Sequence, residues 1–270
     1  MKILLNNNDL IEALNNAPKL GFVPTMGALH KGHIFLIKRS LKECNKTIVS
    51  IFVNPTQFNN KKDFKKYPRN NKKDLSILKK LKVNYVYLPK KKHIYNSKNK
   101  IKFKIRKVDK ILCAKLRKGH FEGVIDVMSR LTDKIKPYKI FMGDKDFQQL
   151  YLLKKYLKKK YKSKIVRCKT IREKNHLALS SRNLLLNKKE FNKAGSIAKK
   201  LIIFKKSLVT KTNLNKLLKE KKSELTKLYN IKIDYLDLRN LNNLKISKKT
   251  KNSKLFIAYY LNKIRLIDNY

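Results

Sequence analysis

Residues 19–33 read KLGFVPTMGALHKGH. The opening KLGFVPTM (19–26) has the apolar texture of a short buried strand, and after Lys31 the residues Ile34, Ile37 and Leu41 fall at helical spacing. Gly27 to His33 is then the turn between the two. Next along the chain, TIVSIFVNP (47–55) is a β-branched run that reads as another strand, so residues 19–55 predict a strand-loop-helix-strand unit.

The alternation continues outward from that unit. An amphipathic stretch around Leu75, Leu78 and Leu81 precedes NYVYLP (84–89), a strand that Pro89 ends. Val124, Val127, Leu131 and Ile135 mark a helix, YKIFMGD (138–144) a strand, FQQLYLLKKYL (147–157) a helix and SKIVRCKTI (163–171) a strand. Strands alternating with helices of this length imply a parallel sheet covered on both faces, an α/β, Rossmann-like doubly wound domain. Beyond about Asn187 the texture changes to lysine-rich helical segments, then KIDYLDLRNL (232–241) and SKLFIAYYLNKIRLIDN (253–269), which read as strands of a small sheet. The expected organisation is a Rossmann-like domain over 1–173 and a smaller C-terminal α+β lid domain over 174–270.

Lys and Arg total 69 against 18 Asp and Glu, a formal net charge of +51. By itself that balance suits nucleic acid or an anionic membrane. The lysines, however, run almost evenly along the chain with a diffuse excess of Asn, Ile, Tyr and Leu. That distribution marks whole-sequence drift, such as an AT-rich coding bias, rather than one basic face, and no specific nucleic-acid partner is expected. No uninterrupted apolar stretch approaches the ~20 residues that span a bilayer, and MKILLNNNDL (1–10) has too short an apolar run for a signal peptide. Cys44, Cys113 and Cys168 are odd in number, far apart and in no C-x-x-C pair, so neither a disulfide frame nor a structural zinc site is expected. A reducing cytoplasm is the expected compartment.

Against this drift stand a few islands. Six of the seven glycines (21, 27, 32, 119, 123 and 143) sit in or beside windows where the Lys/Asn/Ile excess recedes, and something local demands particular residues there. The turn that holds Gly27 and Gly32 also holds two of the chain's five histidines, His30 and His33. A turn that opens a helix directs backbone N–H groups and the positive end of the helix dipole outward, an anion site in waiting. Two imidazoles three residues apart add donors for phosphate oxygens and for charge that develops in phosphoryl or nucleotidyl transfer.

H-x-G-H directly after a strand resembles the HIGH signature of the nucleotidyltransferase superfamily, which takes in class I aminoacyl-tRNA synthetases and small adenylyl and cytidylyl transferases. VPTMGALHKGH (23–33), SIFVNPTQF (50–58), YPR (67–69), RKGHFEGV (117–124), GDKDFQQL (143–150) and LSSRN (179–183), in that order and spacing, resemble the pantothenate synthetase (pantoate–β-alanine ligase) family. The tail is similar in length to that family's small C-terminal domain.

The resemblance implies that ATP, pantoate and β-alanine are condensed through a pantoyl-adenylate intermediate, with release of AMP and pyrophosphate. It implies an ATP-phosphate loop of Met26, Gly27, Ala28, Leu29, His30, Lys31, Gly32 and His33, with His33 as proton donor and His30 beside it on the phosphates. Gly143, Asp144, Lys145 and Asp146 join the ATP site, as do Leu179, Ser180, Ser181 and Arg182 from the opposite side, and Ile171 offers a backbone contact to adenine. His33, His30, Lys145 and Arg182 are the implied catalytic set. Gln57 and Gln149 are assigned to pantoate, with Asn54 buttressing them and Pro24 and Met26 alongside; Gln57 also serves β-alanine. Neutral amides suit this task because they bond hydroxyl and carbonyl groups while leaving the attacking carboxylate nucleophilic. Tyr67, Arg117 and His120 are expected to shape the cleft, and a homodimer is implied.

The chain also departs from the family pattern. Where an acidic pair for magnesium is usual, KKDL (72–75) has Lys73 and leaves Asp74 as the candidate Mg2+ ligand; one carboxylate with phosphates and waters satisfies that ion. Asn175-His176 stands where Asp-Gly is typical, and DKILCAKLRKGH (109–120) lacks the usual Glu-Gly. Two other readings remain open: another small-molecule adenylyltransferase, which would not call for the paired glutamines, and a basic nucleic-acid-binding protein, which would interleave stacking aromatics with its basic residues.

Overall fold

The computed structural model describes residues 1–15, 17–95, 103–158 and 160–270, and the chain divides into two compact units, Met1–Lys169 and Thr170–Tyr270. In the first unit, strand β1 (Lys2–Leu4) and helix α1 (Asn7–Leu14) precede β2 (Leu20–Thr25), α2 (Lys31–Glu43) and β3 (Lys46–Ile51). Helices α3 (Lys61–Lys66) and α4 (Asn71–Lys80) lead to β4 (Tyr85–Tyr87). Helices α5 (Lys91–Ile94), α6 (Leu112–Leu116) and α7 (His120–Ile135) lead to β5 (Lys139–Gly143). Helix α8 (Phe147–Leu157) and β6 (Lys164–Cys168) follow.

These six strands form a parallel sheet in the order β1-β4-β3-β2-β5-β6. Consecutive residues of β2 and β3 are buried almost throughout, and since neighbours in a strand point to opposite faces, both faces of the sheet are covered. Val23, Ile37, Val49, Leu78, Val86 and Phe141, all with no exposed area, form the core on one side. The strand β1 and helix α1, which the alternation pattern did not reveal, extend the sheet beyond β4. Their sequence carries the reason for being overlooked: a strand of three residues has no measurable period.

The strand order places β3 and β4 on one side of β2 and β5 on the other, so the C-terminal ends of β2 and β5 flank the topological switch point, where open α/β sheets bind ligands. The sheet is also parted there. β5 pairs with β2 only through Gly21 and Phe22. The Leu20 carbonyl accepts from Tyr138 N–H toward β5, whereas that of Thr25 accepts from Phe52 N–H toward β3. Alternate residues therefore address opposite neighbours, and the N–H that Pro24 lacks is one that would have faced β5. The ladder stops and leaves a gap.

The second unit holds a 3₁₀ turn (Ser181–Leu185), helices α9 (Lys188–Ser207) and α10 (Leu214–Tyr229), and an antiparallel sheet β7 (Lys232–Asn240), β8 (Ser253–Leu261) and β9 (Ile264–Asn269) in that order. Ile197, Leu201, Leu225, Leu238, Leu255 and Ile257 have no exposed area and form its own core, each contributing roughly 1.5–3 kcal/mol by burial. Arg172 grips the buried Asp268 with both terminal nitrogens at 2.7 and 3.0 Å.

Candidate active site

The loop between β2 and α2 is bent by two successive left-handed residues, Gly27 (φ 80) and Ala28 (φ 50). Alanine resists that conformation, so something must hold it. The buried carboxylate of Asp74, on α4, does so: it accepts the N–H of Ala28 and that of Leu29, each at 2.8 Å. Gly27 N–H turns to Thr25 Oγ1 (3.2 Å), whose hydroxyl donates to the Ser50 carbonyl (2.7 Å). The N–H groups of Gly27, Ala28 and Leu29, in the loop expected to hold the phosphates, are thus engaged within the protein.

H-x-G-H turns out to be a capping box written in histidine. His30 is the N-cap of α2; its Nδ1 accepts from Gly32 N–H at 3.1 Å, and His33 Nδ1 accepts from His30 N–H at 3.4 Å. The three-residue spacing therefore has a structural cause as well as any chemical one. Because each Nδ1 is an acceptor, each neutral ring carries its proton on Nε2. The rings lie against one another with centroids 4.0 Å apart. Burial, then the nearby Lys145 ammonium, pushes His30 down to about 4; burial, then His30 and Lys145, holds His33 well below the ordinary histidine value. Both are neutral at pH 7. They offer N–H donors rather than positive charge, and the fixed charge beside them belongs to Lys145.

Lys145 lies in a 3₁₀ turn (Asp144–Asp146) that follows β5, across the switch point from the histidines. Its neighbours have separate jobs. Asp144 is buried and takes a two-point ion pair from Arg167 of β6 (2.7 and 3.0 Å), which fixes the turn, while Asp146 lies 3.5 Å from the Lys145 ammonium. Asp144, expected at the ATP, holds this ion pair in the same turn as Lys145.

Gln57 ends the NPTQF turn. Its Nε2 rests on Met26 Sδ (2.8 Å) and its Oε1 accepts from Asn54 Nδ2 (3.3 Å), a thioether and a long bond that are readily exchanged for better partners. Asn54, 1% exposed, is saturated: it donates to the Gly123 carbonyl and accepts from Thr56 and from Tyr95 Oη. It positions Gln57 and has no capacity left for a substrate. The Gln57 carbonyl in turn accepts from His120 Nδ1 (2.7 Å) and Arg117 Nη2 (3.4 Å). His120 must therefore donate from Nδ1 and accept from Arg117 through Nε2, 2.8 Å away. Gly123 admits this arrangement, since a Cβ there would sit 2.5 Å from the Thr56 carbonyl oxygen.

Of the two glutamines on α8, Gln148 is buried and spent on Cys113 N–H and the Ile111 carbonyl, whereas Gln149 is half-buried with no side-chain bond among the described residues. Beside Met26 a cavity of ≈ 450 Å³ is lined by Phe52, Val53, Pro55, Arg69 and Lys91. Tyr67, expected at the cleft, turns instead into an aromatic cluster with Phe58 (ring centroids 5.6 Å apart) and is buried; its neighbour Arg69 lines the cavity.

A family model described as Pantoate-beta-alanine ligase matches residues 3–270. The chain belongs to that family. The Pantothenate synthetase of Helicobacter acinonychis (strain Sheeba) is 41% identical over 276 residues, covering 100% of this chain and 99% of that one, and that of Azobacteroides pseudotrichonymphae is 40% identical over 268 residues, covering 96% and 94%. Among solved structures, the pantothenate synthetase of Thermus thermophilus superposes with a TM-score of 0.94 at 28% identity, covering 100% and 99% of the two chains. The pantoate-beta-alanine ligase of Francisella tularensis, complexed with beta-gamma ATP and β-alanine, does so at 0.86 and 35%, covering 100% and 97%.

Ile171, Leu179, Ser180, Ser181 and Arg182, also expected at the ATP, lie in the second unit. Ile171 and Leu179 are joined backbone to backbone (3.0 Å), and Ser180 Oγ accepts from Arg182 N–H (3.3 Å) at the head of the 3₁₀ turn. His176 has φ 74, the left-handed region, so a residue with a Cβ stands where glycine is the easy choice. Asn175 compensates: its side chain accepts from Leu177 N–H and donates to the Phe191 carbonyl, both at 3.2 Å. Asp74, expected as a metal ligand, has both oxygens on backbone amides, Lys73 is exposed, and among the described residues no group of three or more His, Cys, Asp or Glu is placed to hold a metal ion. These residues do not fit a resident metal.

Proposed function

We propose that this chain joins pantoate to β-alanine at the expense of ATP, through pantoyl adenylate. The observation that carries the reading is the meeting, at the switch point of a full-length family match, of a pinned H-x-G-H turn with Lys145, beside a glutamine held by exchangeable bonds. In the first step the pantoate carboxylate attacks the α-phosphorus and pyrophosphate leaves; in the second the β-alanine amine attacks the acyl carbon, AMP leaves and the amine proton is lost.

The residues contribute positioning and electrostatics. Lys145 supplies the fixed positive charge along the phosphates, and the Nε2–H groups of His30 and His33 donate to oxygens on which charge accumulates. Gln57 exchanges Met26 for pantoate, and Gln149, unspent, is its partner. Arg182, with Ser180 and Ser181, is assigned to the triphosphate, its planar fork suiting phosphate oxygens. Mg2+ is a companion of the nucleotide substrate. A homodimer and a cytoplasmic location belong to the same reading; no helix among the described residues is long and apolar enough to cross a membrane.

The test is pantothenate formation by the purified chain from ATP, pantoate and β-alanine, together with pyrophosphate exchange into ATP. Exchange that requires pantoate and not β-alanine is the expected result. Exchange supported by a phosphorylated acceptor in place of pantoate would assign the chain to the adenylyltransferases instead.

A further inference from the structure

A second cavity, of ≈ 670 Å³, lies at the end of the first unit's sheet away from the switch point, between the first residues of β5 and β6 and the C-terminal halves of α7 and α8. Its buried wall is apolar, with Ile140, Leu157 and the half-buried Ile165. Its rim is basic, with Lys154, Lys158, Lys160, Lys162 and Lys164. Lys160 is engaged by Asp133 at 3.0 Å, whereas the other four form no ion pair among the described residues.

Lysines are common in this chain, so the rim alone would carry little. The second observation is Thr132, which lines the same cavity, is 1% exposed, and has a hydroxyl without a hydrogen-bond partner. Threonine in a helix ordinarily returns its hydroxyl to the carbonyl one turn back, and buried polar atoms are nearly always satisfied; an exception calls for an explanation. A cavity of this size with an apolar wall, one unpartnered hydroxyl among its lining residues, since those of Tyr161 and Ser163 are already bonded, and a rim of a single charge has the make-up of a small-molecule site. Low-dielectric walls also focus the field of the rim lysines into it.

We propose that this cavity binds a small amphipathic anion, an organic phosphate or carboxylate whose apolar body carries a hydrogen-bonding oxygen for Thr132. The site is separate from the ligase centre and does not depend on the ligase reading.

The probe is 6-hydroxyhexyl phosphate, titrated calorimetrically into the full chain, with n-hexyl phosphate, 6-hydroxyhexanoate and inorganic phosphate as comparisons. Saturable one-to-one binding is expected, tighter than for n-hexyl phosphate or inorganic phosphate, and the hydroxyhexanoate arm tells a phosphate site from a carboxylate site. Replacing Lys154, Lys158 and Lys162 together with Gln should weaken binding by about tenfold or more. The same change at the exposed Lys216, Lys219 and Lys227 of α10, which removes equal charge elsewhere, should leave it nearly unchanged. Thr132→Val, close in shape, should erase the advantage of the hydroxylated probe over n-hexyl phosphate. Equal losses in the two lysine variants would mean attraction by net charge and would overturn the site. So would a hydroxylated probe that binds no better than inorganic phosphate, or an unchanged preference in Thr132→Val. Unaltered melting temperatures in the variants guard against misfolding.

Discussion

Asp74 bonds the N–H groups of Ala28 and Leu29 at 2.8 Å each, and an asparagine can accept only one of them, its amide facing the other donor-to-donor. Asp74→Asn should therefore destabilise the chain by about 1–3 kcal/mol and loosen the turn, lowering kcat/KM for ATP by roughly tenfold or more. Denaturant unfolding and pantoate-dependent exchange would show both. The histidines make a pH argument. Their folded-state values lie below the ordinary ~6.5, so between pH 6.5 and about 4 the unfolded chain binds protons that the folded chain refuses. Stability from these sites is present above 6.5 and is lost as the pH falls toward 4. Melting temperature should drop over that window, and less steeply in His30→Asn, where asparagine still caps the helix. Nor should kcat/KM for pantoate, at saturating ATP, show an ionisation near the ordinary histidine value. His33→Ala should slow adenylate formation by two or more orders of magnitude, whereas Gln57→Ala should chiefly raise KM for pantoate. The sequence made His30, His33, Lys145 and Gln57 visible because these types are rare against a lysine-asparagine background, or, for the lysine, because it stands in a window where that background recedes. It could not separate Gln148 from Gln149 by pattern, nor reveal that Asp74 is spent on amides, because both depend on which way a side chain turns.

Elements that carry no chemistry decide where the chemistry sits. Helix α7 approaches the NPTQF turn closely enough that Gly123 has no room for a methyl group, and Asn54 ties the turn to that same glycine's carbonyl. Gly123→Ala would push the two apart, with an expected cost of about 1–3 kcal/mol and weaker pantoate binding at little change in KM for ATP. Thermal melts and separate substrate titrations distinguish this from a local defect. Long elements were legible: α8 and the β8–β9 strands follow their apolar periods almost to the residue. Short ones were not, and α3, α5 and α6 have four to six residues each, too few for a period of 3.6 to register. The H-x-G-H turn was legible as a helix start, yet its role as a capping box was hidden, since capping boxes are sought as Ser or Thr with Glu.

Across the molecule, a net charge of +51 means that the folded state repels itself. Raising NaCl from about 20 to about 300 mM, which shortens the screening length from roughly 20 Å to roughly 6 Å, should raise the melting temperature by several degrees; a flat response would indicate that bound anions already neutralise the chain. The fold class was readable because hydrophobic alternation survives such drift, whereas the parting of the sheet was not, since it arises from strand order and a single ladder direction. That parting rests on Pro24, and what Pro24 contributes is an atom it does not have. Any other encoded amino acid would restore a hydrogen to that nitrogen and let β5 suture itself to β2 further along, closing the slit into which a nucleotide has to reach. Mutational pressure that freely trades surface residues for lysine or asparagine has no replacement to offer there, so position 24 should tolerate none of the substitutions that the rest of this chain has accepted so readily.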